Sequence, residues 1–262
     1  MIGFIGGGNM AEAIIKGIRG TGKKEEIFVS EPRAERRRYL EETYGAKATS
    51  SNREVASMCN IIILAIKPQN MAQVLSEISD LITEDKTVVT IAAGVSLSYL
   101  QSKLKTRKLI RVMPNTPALV QEGMSVISLC ECFSDKDIAI VREIFMGIGK
   151  VITLPEKYIN AVTALSGSGP AFIAFFIESM ITAGEKLGLN RDVSEELAIQ
   201  TLIGTARMIE GGMPPKNVRE MVTSPGGTTE AGLKAFEEKG FNDVVYYALR
   251  RAFERAEELG SA

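Results

Sequence analysis

Along residues 1–155, short apolar runs alternate with amphipathic segments. Runs at 2–6 (IGFIG), 26–30 (EIFVS), 46–49 (AKAT), 60–66 (NIIILAI), 86–92 (KTVVTIA), 108–114 (KLIRVMP), 124–130 (MSVISLC) and 150–154 (KVITL) predict eight strands. Between them, apolar residues at helical spacing predict helices over 9–19, 34–44, 53–58, 70–81, 97–103 and 135–146. Strands alternating with helices argue for an α/β fold built on a doubly wound, mostly parallel sheet. The unbroken apolar stretch 61–66 suits a central strand covered on both faces. From residue 156 the strand signal is gone. Helical periodicity continues, broken at SGSGP (166–170), GGMPP (211–215) and SPGG (224–227). Small residues such as Ala161, Ala164, Ala171, Ala174, Ala183 and Gly184 recur at spacings that let helices pack closely. The chain therefore divides into an α/β domain over 1–155 and an all-helical domain over 156–262.

Composition narrows the function. The 262 residues are 45% hydrophobic and 24% charged, enough for a substantial core. A net charge of −1 gives no reason to expect a nucleic acid or an anionic membrane as partner. The chain opens directly on a strand with no basic leader, so no signal peptide is expected. PAFIAFFIESMITAG carries Glu178 and is shorter than the ~20 residues of a membrane span, so no membrane span is expected either. Three cysteines, Cys59, Cys130 and Cys132, fit a reducing cytoplasm. Cys130 and Cys132 would share a strand face, and with no second Cys pair they are expected to be free thiols and not a metal site. The chain has no histidine, which removes Ser-His-Asp and Cys-His nucleophiles and histidine acid–base chemistry together. An enzyme of this composition works through a cofactor, carboxylates, Lys, Tyr or hydroxyls.

The first strand runs into Gly6-x-Gly8-x-x-Ala11 and then a helix. This is a dinucleotide turn. Gly6 makes the tight bend, Gly8 lets pyrophosphate approach the backbone, and Ala11 allows close helix–strand packing. It makes the α/β domain Rossmann-type. A glycine turn serving packing alone would carry the same residues, but the strand before it and the helix after it favour a nucleotide. The second strand ends in VSEPRAER. Glu31 there suits the ribose hydroxyls of NAD, whereas Ser30, Arg33 and Arg36 suit the 2′-phosphate of NADP. NADPH is the favoured cofactor and NADH stays possible, with Glu31 as the reason for reserve. Arg33 to Arg38 could equally be a solvated helix face.

Three further strand ends, LAIKPQ (64–69), TIAAGV (90–95) and VMPNTP (112–117), break into small or rigid polar loops. Ligands of open α/β sheets lie beyond the carboxyl ends of strands, so these loops would line the nicotinamide half of a site. Lys67 sits at one such tip, where a solvated lysine is also ordinary. SGSGP reads either as a helix-opening turn with Pro170 near its start or as a loop between the domains. TSPGGTT (223–229) offers more hydroxyls and flexible backbone than a helix cap needs. A Gly-Gly loop at a helix start supplies N–H donors and a favourable dipole for an anion.

GFIGGGNMAEAI, LAIKPQ, AAGVS, RVMPNTPALVQEG, TALSGSGPAF and VTSPGGTTEAGL together resemble pyrroline-5-carboxylate reductase over nearly the whole chain. That family reduces a cyclic imine to proline with NAD(P)H. It has a Rossmann domain and a helical domain through which two chains interlock, with dimers often assembling further. The resemblance implies cofactor contacts at Gly6, Gly8, Asn9, Met10, Ala11, Asn52, Ala65, Ile66, Lys67, Pro68, Ala92, Ala93 and Gly94, with Ser30 and Arg33 near the 2′-phosphate. It implies that Ser224, Gly227, Thr228 and Thr229 hold the substrate carboxylate and that Thr229, directly or through water, serves the ring nitrogen as the catalytic residue. A protonated imine is already electrophilic, so a strong acid is dispensable, in keeping with the missing histidine. Family members commonly carry a non-acidic residue where this chain has Glu31. Two other readings stay open: a related two-domain 3-hydroxyacid dehydrogenase or imine reductase, and a non-catalytic NADP-sensing protein.

Overall fold

All eight apolar runs become strands of one sheet. The computed structural model describes residues 1–22, 25–130 and 135–261. The strands are β1 (Ile2–Ile5), β2 (Ile27–Ser30), β3 (Lys47–Thr49), β4 (Ile61–Leu64), β5 (Thr87–Thr90), β6 (Leu109–Met113), β7 (Gly123–Leu129) and β8 (Gly149–Thr153), in the order β3-β2-β1-β4-β5-β6-β7-β8. Every pairing is parallel except β6 with β7. The first six strands follow the order 3-2-1-4-5-6 of a doubly wound dinucleotide fold. The direction of winding reverses between β1 and β4, which opens a crevice at their carboxyl ends.

Helices α1 (Asn9–Gly20), α2 (Ala34–Tyr44), α3 (Asn52–Met58), α4 (Met71–Ile78), α5 (Leu97–Lys103) and α6 (Asp135–Met146) match the expected spans, with α4 shorter than 70–81 and preceded by a 3₁₀ turn over Pro68–Asn70. They cover both sheet faces, and the strands serve both. Phe4, Ile63, Val89 and Ile110 face the core beneath α1, α2 and α6, whereas Ile5, Ile62, Val88 and Leu109 face the core beneath α3, α4 and α5. Alternating side chains on strands buried on both faces require apolar residues at successive positions.

After β8 the chain is helical: α7 (Ile159–Val162), α8 (Gly169–Lys186), α9 (Arg191–Glu210), α10 (Pro215–Met221), α11 (Thr228–Glu238) and α12 (Phe241–Ser261). SGSGP opens α8, which starts at Gly169 with Pro170 in its first turn, as the helix-opening reading has it, and the two compact units divide inside it, between Ser168 and Gly169. The residues before α8 are helical too, within a run Glu156–Lys186, and they widen into a π-turn over Thr163–Gly167 that is closed by Ser168 N–H donating to Thr163 O at 2.8 Å. This run is long and apolar enough to cross a membrane by length and composition, longer than the sequence suggested.

Two compact units emerge. Met1–Ser168 and the end of α12 from Ala252 onward form one, and Gly169–Arg251 forms the other. Within the first, the near-fully buried guanidinium of Arg111 on β6 pairs with Glu156 Oε1 at 3.0 Å, and Leu97 N–H at the start of α5 donates to the same oxygen at 2.9 Å. The second unit holds little core. Its buried apolar residues are Ile181, Ala198 and Val218, while Phe175, Leu187, Leu197, Tyr246 and Tyr247 are more than half exposed.

Candidate functional site

The crevice beyond β1 and β4 begins at Gly6, whose φ of +98° is accessible to glycine at no steric cost. A Cβ there would lie 2.5 Å from Ala65 O, so the turn after β1 and the turn after β4 touch backbone to backbone. Gly8 has open space where its Cβ would be, and it begins α1 without a side-chain cap. By contrast Ser51, Ser96 and Asn190 cap α3, α5 and α9 with side-chain oxygens. Uncapped, the first turn of α1 keeps its N–H groups for another acceptor. Asn9 is exposed there, Met10 half-buried and Ala11 buried. A glycine with open space over it and unpaired donors beside it is a cradle that fits a pyrophosphate.

The turn is fixed by side chains from β2 and α2. Gly7 N–H donates to Glu31 Oε2 at 3.1 Å, and Gly7 O accepts from Arg36 Nε at 2.7 Å. Arg36 also pairs with Glu12, whose other oxygen accepts from the hydroxyls of Tyr39 and Tyr44. Burial pushes the Glu12 carboxyl up, but Arg36 and the two tyrosine hydroxyls outweigh it and leave it below the usual carboxylate range. This network was not legible in the sequence, because its members lie 24 to 32 residues apart.

The three candidate phosphate ligands are placed differently from one another. Ser30 is buried and donates to Asn52 Oδ1 at 2.7 Å, while Asn52 Nδ2 donates to Glu77. Arg36 is committed to Gly7 and Glu12. Arg33 is two-thirds exposed, and of its guanidinium only Nε is engaged, on Glu31 Oε1 at 2.7 Å. Glu31 itself is buried, and its Oε1 also accepts from Arg33 N–H at 3.1 Å. Burial raises the Glu31 carboxyl, but hydrogen bonds from the Arg33 side chain and backbone and from Gly7 carry it below the usual range.

Along the crevice, Ala65 and Ile66 are half-buried and Lys67 is exposed at the start of the 3₁₀ turn that contains Pro68. Ala92 is buried and its N–H donates to Thr90 Oγ1, whereas Ala93 is half-buried and Gly94 takes φ +76°. The end of α12 lies against this turn, with Leu259 O 2.7 Å from where a Gly94 Cβ would stand. No local pattern announced that contact.

Asn115, after β6, binds the π-turn. Its Nδ2 donates to Ser166 O at 3.2 Å and its Oδ1 accepts from Met124 N–H at 2.8 Å. Pro170 has no N–H to reach the Ser166 carbonyl, and Asn115 satisfies that carbonyl instead. Burial pushes the Cys59 thiol up to about 11, and the Cys130 thiol donates to Arg107 O at 2.8 Å. Cys132 lies outside the described residues. Among the described residues, no group of three or more His, Cys, Asp or Glu could hold a metal ion.

TSPGGTT belongs to the second unit. Ser224 O accepts from Gly227 N–H at 3.0 Å, closing a turn in which Gly226 has φ +71°. Gly226 N–H donates to Glu230 at 2.6 Å. Both glycine N–H groups are therefore spent within the loop, contrary to the expectation that they would serve a ligand. The free donors are different ones. Gly227 starts α11 without a side-chain cap, leaving the first-turn N–H groups from Thr228 on, and the hydroxyls of Ser224, Thr228 and Thr229 have no partner among the described residues. A pocket beside the loop is lined by Arg219, Thr223, Gly226, Gly227, Glu230 and Lys234, among others. Its lining mixes two cations, Arg219 and Lys234, with the carboxylates of Glu220, Glu230 and Glu237.

The chain matches two family models: pyrroline-5-carboxylate reductase dimerisation over residues 156–259 and NADP oxidoreductase coenzyme F420-dependent over residues 1–94. It is 40% identical to a pyrroline-5-carboxylate reductase of Synechocystis, over 99% of this chain and 98% of that one. Identity to the Escherichia coli protein of the same name is also 40%, over 100% and 98%. The structure of a pyrroline-5-carboxylate reductase from Coxiella burnetii superimposes with a TM-score of 0.92 at 35% identity, covering 98% of this chain and 97% of that one. That of Plasmodium falciparum pyrroline carboxylate reductase with NADP bound gives 0.88 at 33%, covering 99% and 97%.

Proposed function

The chain belongs to the pyrroline-5-carboxylate reductase family, and we propose how its residues carry that family's reaction, the NADPH-dependent reduction of 1-pyrroline-5-carboxylate to L-proline. We assign residues 1–155 to cofactor binding and 156–262 to substrate binding and dimerisation. The exposed apolar side chains of the second unit, and the match to a dimerisation model, support a homo-oligomer. Interlocking through the helical domain accounts for that exposure without a membrane. We place the enzyme in the cytoplasm, in keeping with its free thiols.

The cofactor supplies the hydride that reaches the imine carbon. The chain's part is to bind and orient. The uncapped start of α1, with Gly6, Gly8, Asn9, Met10 and Ala11, holds the pyrophosphate, and the turns at Ala65–Pro68 and Ala92–Gly94 flank the nicotinamide half. The observation that carries the substrate assignment is the uncapped start of α11, where N–H groups and the hydroxyls of Ser224, Thr228 and Thr229 are left unpaired. A carboxylate needs converging donors and is favoured at a helix N-terminus. A Cβ at Gly227 would stand 2.5 Å from Ser224 Oγ, which would have to turn away, and 3.0 Å from Ser224 O. Thr229 Oγ1 serves the ring nitrogen, which keeps its proton and takes the electron pair of the C=N bond as carbon is reduced.

The test is NADPH oxidation with 1-pyrroline-5-carboxylate, followed by absorbance, against a panel of 3-hydroxy acids with NADP+. Turnover of the imine alone is expected. Thr229→Val is expected to lower kcat/KM about 100-fold, the scale of one lost transition-state hydrogen bond, with NADPH affinity unchanged. Full activity in that variant removes Thr229 from the mechanism.

A further inference from the structure

We propose that Glu31 is a specificity-determining residue that weakens this enzyme's preference for NADPH over NADH by holding Arg33, the most exposed of the three candidates for the 2′-phosphate, on a fixed carboxylate. The inference rests on the cofactor site described above. Three observations carry it. Ser30 is buried and donates to Asn52, and Arg36 is mostly covered and held by Nε on Gly7 O and by Nη2 on Glu12, so neither is the most open donor at the tip of β2. Arg33 is, but its Nε lies 2.7 Å from Glu31 Oε1. Glu31 cannot withdraw, because it is buried and its other oxygen accepts from Gly7 N–H inside the glycine turn. The carboxylate is thus a built part of the nucleotide turn and not a surface charge free to swing aside.

The consequence is electrostatic. A 2′-phosphate approaching Arg33 meets a guanidinium already neutralised by a permanent neighbour, and it meets that neighbour's negative charge. An adenosine ribose without the phosphate meets no such repulsion, and an acidic group at this strand end is the feature that suits its hydroxyls. Acid and arginine sit side by side here, and the bond between them makes each limit the other.

Binding by isothermal titration calorimetry tests this without turnover. The parent protein is expected to bind NADP+ and NAD+ with dissociation constants within about tenfold of each other, a 1.4 kcal/mol difference at most. Glu31→Gln and Glu31→Ser, each checked for the parent's circular dichroism, are expected to shift that ratio toward NADP+ by fivefold or more. Arg33→Gln is expected to weaken NADP+ and leave NAD+ unchanged. A parent that favours NADP+ by a hundredfold, or folded Glu31 variants whose ratio stays at the parent value, overturns the proposal. Binding of both nucleotides without reduction of the cyclic imine counts against the reaction assigned above and not against Glu31. Binding of neither overturns the site on which the proposal stands.

Discussion

The sheet-bearing unit and the helical unit are built on opposite terms. In the first, strands β1, β4 and β5 are buried or nearly so, and two contiguous cores fill the space between sheet and helices. In the second, the 20 residues of α9 bury only Ser194 and Ala198, and α11 buries none. A chain segment that exposes Phe175, Leu187, Leu197, Tyr246 and Tyr247 has not finished burying its apolar surface. The first unit's sequence contains the partners for its own side chains. The second unit's sequence leaves apolar faces open, in keeping with the homo-oligomer that its match to a dimerisation model supports. The contrast extends to the two candidate sites: the glycine turn is locked by Glu31, Arg36 and Glu12 from its own unit, whereas in TSPGGTT only the Thr223 hydroxyl is engaged, on Arg219 O, and those of Ser224, Thr228 and Thr229 have no partner among the described residues.

The largest effect expected from breaking this contrast comes from Phe175→Glu. A charge on a face that another copy covers has no solvent to receive it. The mass by light scattering is expected to fall to that of a monomer, with activity lost, while the sheet-bearing unit keeps its fold. An unchanged oligomer would mean that this part of α8 stays open to water. Next in size is Gly6→Ala. A Cβ at 2.5 Å from Ala65 O, with φ at +98°, costs about 2–4 kcal/mol. Calorimetry is expected to show nucleotide binding lost and the melting temperature lowered, with the oligomer intact. A variant that binds NADP+ as the parent does would show that the two turns can move apart.

The smallest effect is a pH dependence to which the locked turn contributes. Glu31 and Glu12 both have folded pKa values below their usual range. Such groups contribute stability that is present above the unfolded carboxylate pKa, about 4.3, and lost as pH falls through the lower folded values. Melting temperature is therefore expected to hold steady above about pH 5 and fall below about pH 4. Glu12→Gln is expected to lower the neutral-pH value and flatten the acid slope. A slope identical to the parent's would separate Glu12 from the stability of the turn.

Legibility followed distance along the chain. Gly6-x-Gly8-x-x-Ala11 was readable because its strand, turn and helix are contiguous, and so were all eight strands. SGSGP was legible as the opening of α8, but its π-turn bond and its tie to Asn115, 51 residues away from Ser166, were not. Arg36 read as a phosphate ligand because spacing places it on α2 but says nothing of Gly7 O, 29 residues earlier. The glycines of TSPGGTT were expected to bind the ligand themselves. Their N–H groups close the loop instead, and Glu230 takes one of them.

The sequence by itself determined the alternation of strand and helix, the dinucleotide turn, the hydroxyl-rich loop and the exclusion of histidine chemistry. These are matters of residue type and short spacing, where local sterics and hydrogen-bonding capacity decide. Only the tertiary structure decided which donors remain free. A side chain's availability depends on the acceptor that folding brings within 3 Å: for Ser30 and Arg36 that acceptor comes from another element, and for Arg33 and Gly226 from a residue two and four positions away that the local fold turns toward it.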